Sequence, residues 1–211
     1  PRILATSVGV SGASVEELSK ESETRTAYKE FVTSLQSVAR IAAQTDAKII
    51  CPAIFWMQGE FNYDPNPEKG LRANVPNTTE KREYKKLLVN IKNNMQKDIQ
   101  RQYGQTDKPV FITYQTGAQY MRDTLSISMA QLEAANEYDD IICAGPIYPM
   151  TDRGGHLDSN GYRWFGEMLG KVYYQSQAIP AVATDGNCER NTAYPNTYQV
   201  SCTGSSVGIR C

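Results

Sequence analysis

Three short clusters in this chain hold the residue types that hydrolysis uses. His156 is the sole histidine among 211 residues, and it stands in Thr151-Asp152-Arg153-Gly154-Gly155-His156-Leu157. An imidazole is the side chain that takes and returns a proton near neutral pH, so general-base chemistry in this chain falls to His156. Asp152 and Asp158 are carboxylates close enough in sequence to orient it, the base half of a Ser-His-Asp arrangement. The plainer reading of Asp158 and Ser159 is that they cap the following helix. The second cluster is Phe55-Trp56-Met57-Gln58-Gly59-Glu60. The Gln58 amide can donate to an oxyanion growing on a carbonyl oxygen. Gly59 lets the backbone turn sharply or approach another group closely. Glu60 can fix a neighbouring donor. The alternative for this cluster is a polar turn that closes a buried strand. The third cluster, Val10-Ser11-Gly12-Ala13-Ser14, offers backbone N–H groups to an anion, or is an ordinary strand-to-helix turn.

These clusters need elements to hold them. Residues 3–10 are short, apolar and β-branched, which predicts a strand. Over residues 25–44 the apolar positions Tyr28, Phe31, Val32, Leu35, Val38, Ala39 and Ala42 follow helical spacing. Residues 48–57 form a near-continuous apolar run, as in a strand covered on both faces, with Pro52 marking a bulge or an irregular start. Residues 62–77 read as a loop. A helix is expected over 80–103, with Tyr84, Leu87, Leu88, Ile91, Met95 and Ile99 on one face. Strands follow at 109–114 and 140–144, and helices at 126–138 and 159–174.

The order β-α-β-α-β-α-β-α argues for a three-layer α/β/α sandwich around a mostly parallel sheet. In such sheets functional residues collect at the carboxyl ends of the strands, which selects the loops 9–14, 58–62, 115–120 and 146–156. Residues 1–177 then make one domain. Residues 178–211 read as an irregular, cysteine-bearing tail or the start of a second module.

Composition bounds the function. The chain is 40% hydrophobic and 21% charged with a net charge of −1. Nothing in that balance argues for nucleic acid or an anionic membrane as partner, and no apolar run is long enough to span a bilayer. Cys51 and Cys143 lie in strand-like runs and read as buried thiols. Cys188, Cys202 and Cys211 crowd the last stretch, where one disulfide would leave one thiol over. Without a CxxC or a His-Cys cluster a zinc site is not expected, and no cofactor is called for.

The segments SVGVSGASVEELSK, FWMQGE and DRGGHLDSNGYRWFGEMLG occur in that order. Together they resemble the SGNH (GDSL-like) hydrolase superfamily, on the branch of sialate O-acetylesterase-like carbohydrate esterases found also in phage tail spikes. The likeness covers roughly residues 3–175. It implies a flavodoxin-like sheet and a serine-type carbohydrate O-acetylesterase. Gly12 matches a glycine whose N–H helps form the oxyanion hole, and Gln58 the glutamine that completes it. His156 matches the general base, and Asp152 the acid that orients it. Glu60 and Asn62 fall among groups that line or support the pocket. The implied partner is an acetylated carbohydrate, with homo-oligomers if the chain is part of a tail spike. The implied setting is extracellular or virion-borne, with a secreted or periplasmic bacterial enzyme as the alternative.

The chain departs from that pattern in three places. The usual Asp-x-x-His spacing is one residue longer here. Asn62 stands where the family often has Asp. The family's nucleophilic serine belongs to a block well before the glycine, yet eleven residues precede Gly12. The expectation is therefore a chain that lacks that block and its central strand, and is weakly stable alone; Ser11, or Ser14, is the other candidate nucleophile. A catalytically incomplete carbohydrate-binding or structural module is the competing reading. A lipase or thioesterase of the same superfamily is a third. Trp56, Tyr63, Tyr120, Tyr148 and Trp164 are candidates to stack on sugar rings, with core packing as the plainer role for Trp56 and Trp164.

Overall fold

The computed structural model describes residues 3–23, 27–63, 76–117 and 124–178, together with the backbone of 188–190, 197–202 and 205–210. Two compact units divide the chain, Pro1–Gly170 and Lys171–Cys211. In the first, α1 (Val15–Leu18) and α2 (Ala27–Gln44) precede β1 (Ala53–Phe55) and a 3₁₀ turn at Glu60–Tyr63. Then come α3 (Lys81–Tyr103), β2 (Val110–Gln115), α4 (Ser126–Glu137) and β3 (Ile141–Pro146). α5 (Ser159–Ala178) crosses the limit between the units. Strands β1, β2 and β3 lie side by side in that order, all parallel, with Ile54 beside Phe111 and Phe111 beside Ile141. The unit is α/β, a parallel sheet flanked by helices on both faces.

Alternation along β2 separates the faces. Phe111 and Tyr114 differ by an odd number of residues and so point to opposite sides. Phe111, with Ile54 and Ile141 beside it, packs against Tyr84, Leu88, Ile91, Met95 and Ile99 of α3 and Ile127, Ala130 and Ala134 of α4. Tyr28, Phe31 and Leu35 of α2 join the same core. Each buried side chain of this size contributes roughly 1.5–3 kcal/mol. Tyr114 on the other face packs with Ile147, Met150, Leu157 and Phe165. Its ring meets that of Phe165 edge-on at 5.2 Å.

Charge fastens the helices at their margins. Lys81 and Lys85 of α3 pair with Glu133 and Glu137 of α4. Asp98 is only 3% exposed and accepts from Lys20, Arg101 and the Tyr28 hydroxyl. Lys92, equally buried, reaches Asp140 at 2.6 Å. Burial opposes ionisation of Asp140, but hydrogen bonds from Lys92 and Gln96 outweigh it and hold the carboxyl below its usual range.

Three expectations need correction. Residues 3–10 have strand composition but join no strand, and Ile3 is 95% exposed. β-branched residues make a strand only where a neighbour supplies the ladder. The apolar run 48–57 contributes just Ala53–Phe55 to the sheet. Pro52 has no N–H to give, so pairing starts after it, although its carbonyl accepts from Val110 N–H. The terminal stretch is not irregular throughout. The second unit contains an antiparallel sheet of β4 (Cys188–Arg190), β5 (Thr197–Cys202) and β6 (Ser205–Arg210). Its Gly-, Asn- and Ser-rich composition hides strand periodicity. Cys51 and Cys143 are free thiols, half-buried, with burial raising the pKa of both. The expected disulfide among Cys188, Cys202 and Cys211 lies outside the described side chains.

Candidate functional site

The segment after β1 turns inward at Gln58, whose amide is buried and fully engaged. Nε2 donates to the Ala13 carbonyl at 3.1 Å and to Asn62 Oδ1 at 2.6 Å, while Oε1 accepts from the Tyr84 hydroxyl at 2.9 Å. Gly59 follows with φ +153°. A Cβ there would come within 2.9 Å of Gln131 Nε2 and 3.2 Å of Thr116 Cγ2, so the position requires glycine. Gln131 of α4 donates to the Gln58 carbonyl and accepts from Thr116 N–H, joining the ends of β1 and β2.

Asn62 is fully buried and uses both ends of its amide. Oδ1 accepts from Val15 N–H as well as from Gln58; Nδ2 donates to Glu16 Oε2 at 3.1 Å and to the Thr78 carbonyl. Glu16 Oε1 accepts from Thr78 N–H. Ser14 caps α1 in a reciprocal capping box with Glu17, and its hydroxyl also donates to the Pro76 carbonyl. These commitments make Ser14 a cap and remove it as a nucleophile candidate. Gly12 occupies an exposed turn at φ +58°, a conformation suited to glycine, beside the exposed Ser11.

Glu60 connects this cluster to the opposite face. Both of its carboxylate oxygens accept from the Tyr114 hydroxyl, at 2.6 and 2.7 Å. Burial, reinforced by the Glu60 charge, pushes the Tyr114 phenol well up; burial does the same for Tyr84. Both hydroxyls therefore stay protonated donors at any physiological pH. Tyr114 in turn packs in the cluster that contains Leu157, the neighbour of His156.

His156 stands on a small hairpin. Asp152 bridges Leu157, Arg153 N–H donates to the His156 carbonyl at 2.8 Å, and Gly154 and Gly155 form the tip at φ +73° and +126°. Asp158 holds the base of the hairpin. Its Oδ1 accepts from the Thr151 hydroxyl and from Asn160 and Gly161 N–H at the start of α5. The Thr151 and Gly161 contacts lower the Asp158 pKa below its usual value. Asp158, not Ser159, is therefore the cap. A Cβ on Gly161 would overlap the Thr151 carbonyl oxygen, so this glycine sets how closely α5 approaches the hairpin.

Gln58, Glu60 and Asn62 follow the carboxyl end of β1 and the His156 hairpin follows that of β3, while Gln58 meets the segment after Gly12 through the Ala13 carbonyl. One expected pairing is not made, and one expected donor is already engaged. Asp152 accepts from Gly154 N–H at 2.7 Å rather than from the imidazole; its carboxylate satisfies the tight turn it belongs to. Gln58 has no N–H left over, because Ala13 and Asn62 take both. Two surface grooves, of about 560 and 320 Å³, are lined around Arg82, Lys86 and Tyr138 and around Tyr63, Thr79 and Ser126, and neither is lined by His156 or Gln58.

The aromatic candidates divide. Tyr63 is buried with its hydroxyl on Ser128, which puts it in the core, and half-buried Trp56 packs against that core on Phe111. Tyr148 and Trp164 are exposed, the latter 51%, so Trp164 is a surface residue and not the core residue its helix position suggested. Tyr120 lies outside the described residues. Sequence reading missed Glu16, Tyr84, Tyr114, Thr116 and Gln131; Tyr84 gave only a helical-face signal.

Among the described residues no group of three or more His, Cys, Asp or Glu is arranged to hold a metal ion, and no helix is long and apolar enough to cross a membrane. Compared with family models, with curated proteins and with solved structures, the chain finds no match.

Proposed function

We propose that this chain carries the base and oxyanion side of a serine-type carbohydrate O-acetylesterase of the SGNH type. The reading is supported by the Gln58 amide held on the Ala13 carbonyl beside the Gly12 turn and by the His156 hairpin following a parallel strand, since α/β folds do their chemistry in the loops after strand carboxyl ends. A serine hydroxyl attacks the acetyl carbonyl carbon of the sugar ester while His156 accepts its proton. The tetrahedral oxyanion takes donors from Gly12 N–H and from Gln58, whose longer bond to the Ala13 carbonyl is the one to exchange. His156 returns its proton to the departing sugar oxygen, and water, deprotonated in turn by His156, releases acetate from the acyl-serine. Ser11 is the exposed serine beside Gly12; the family pattern instead supplies the nucleophile from a block farther upstream. The substrate class rests on the resemblance of the FWMQGE and HLDSNGY segments alone, as do an extracellular or virion setting and assembly into oligomers.

The engagement of both Gln58 N–H groups, and of Asp152 by its own turn, favours a second reading: a carbohydrate-binding or structural module without turnover. One experiment separates them. The chain, and a version extended at its amino end, are incubated with p-nitrophenyl acetate and with an acetylated polysaccharide. Acetate release that disappears in His156→Ala supports the esterase. Polysaccharide retention without release, unchanged in His156→Ala, rejects it in favour of the module.

A further inference from the structure

The Gln58 amide sits in a holder that the hydrolase reading does not use. Its oxygen is fixed by the Tyr84 hydroxyl at 2.9 Å, and one N–H is fixed by Asn62 Oδ1 at 2.6 Å. The other N–H makes the longer contact, 3.1 Å, to Ala13. Asn62 and Tyr84 have no exposed surface. Asn62 can hold Gln58 only while its own amide keeps one orientation, oxygen toward Gln58 and Val15, nitrogen toward Glu16 and Thr78. Glu16 enforces that orientation. Its Oε1 accepts from Thr78 N–H, and its Oε2 accepts from Asn62.

We infer that Glu16 and Asn62 form a coupled positioning pair that aims the Gln58 amide and leaves the N–H on Ala13 as its one exchangeable donor. The polarity of the pair explains the asparagine at position 62. An aspartate there would set a second carboxylate oxygen 3.1 Å from Glu16 with no proton between them. The reverse change fails as well. A glutamine at position 16 in the present pose points an NH₂ at the Asn62 NH₂, and flipping it points that NH₂ at Thr78 N–H. Changing both residues restores the match between positions 16 and 62, although the Thr78 carbonyl loses its donor from position 62. The new amide at position 16 then donates to the new carboxylate at position 62. That carboxylate still accepts from Gln58 and Val15, and half-buried Thr78 turns its carbonyl to water.

What the exchangeable N–H meets rests on the esterase reading; the pairing does not, and its test is a double-mutant cycle. Melting midpoints and the side-chain amide NMR signals of Gln58 are measured for wild type, E16Q, N62D and E16Q/N62D. Each single change leaves a buried polar group opposed, and the midpoint falls by roughly 4–8 °C. The double variant, which still lacks the donor to the Thr78 carbonyl, falls by clearly less than the sum of the singles, with the Gln58 signals restored. A double variant that falls by the sum of the singles, or a neutral N62D, overturns the pair. Should a single variant not fold, the double is still compared with wild type, and Tyr84→Phe tests the holder from its other side. Loss of the hydroxyl shifts the Gln58 amide signals and speeds their exchange with solvent roughly tenfold, equivalent to about 1.4 kcal/mol; unchanged signals overturn it. Absence of ester hydrolysis in every variant removes the esterase reading and leaves the cycle intact, whereas an additive cycle in an active esterase removes only the pair.

Discussion

Gln58 follows the carboxyl end of β1 and His156 that of β3, and the two are held by opposite means. Gln58 is buried and tied to residues 4 to 73 positions away in sequence, through Ala13, Asn62, Tyr84 and Gln131. His156 is exposed, and the bonds around it come from its own hairpin and the first turn of α5. The first region is positioned by the whole fold; the second is positioned locally and seated on the fold through Leu157 and Gly161. A donor that must point at a developing charge gains from rigidity, because its dipole then needs no reorganisation. A base that must accept a proton at one step and return it at another tolerates a looser mount.

The largest expected contrast comes from truncating each residue to alanine. On the esterase reading proposed above, Gln58→Ala lowers ester hydrolysis by about 100- to 1000-fold. It also destabilises the fold by about 1–3 kcal/mol, since Tyr84 and Asn62 lose a buried partner. On the same reading His156→Ala abolishes hydrolysis, while its urea midpoint moves by less than about 0.5 kcal/mol equivalent. Similar stability losses for the two variants would erase the contrast. Next in size is Gly161→Ala. The added methyl forces α5 off the Thr151 carbonyl, and about 1–3 kcal/mol is lost. Backbone NMR shifts should then move around residues 151–157 and stay fixed around Asn62.

A smaller effect sharpens the local character of the hairpin. The Asp158 pKa is lowered in the fold, so its contribution is fully present above the unfolded value, about 3.9, and is lost as pH falls through the folded value. Melting midpoints between pH 7 and 2 should therefore show a steeper acid limb for wild type than for Asp158→Asn. Parallel curves would remove Asp158 as the hinge pin. Smallest of all is Asp152→Asn, which keeps an oxygen for Gly154 N–H. Its stability should match wild type within about 0.5 kcal/mol, and its hydrolysis should fall by less than about tenfold, because the carboxylate serves the turn and not the imidazole.

Much of the fold was legible in the sequence where periodicity was strong. The apolar stripe of α3 and the helix of 27–44 matched their packing, and the runs at 109–114 and 140–144 became β2 and β3. Legibility failed where a strand depends on its neighbour. Residues 3–10 look like β1's equal in composition, yet composition cannot supply a ladder. The site was legible as far as local motifs reach: Gln58, Gly59, Glu60, Asn62 and His156 could all be selected from short segments. Their partners could not. Tyr84 and Gln131 read as helix-face residues, and Glu16 as an ordinary first-turn acid, until folding brought them to Gln58 and Asn62.

The ladder of Lys81 and Lys85 with Glu133 and Glu137 makes ionic strength a variable of the site. Those side chains are partly exposed, so each pair weakens as dissolved salt shortens the reach of charge from about 30 Å at 0.01 M to about 3 Å at 1 M. α4 carries Gln131, and with it the seat of the Gln58 carbonyl. Moving the protein from dilute buffer into brine would loosen that seat from a distance, without touching a residue of the site itself.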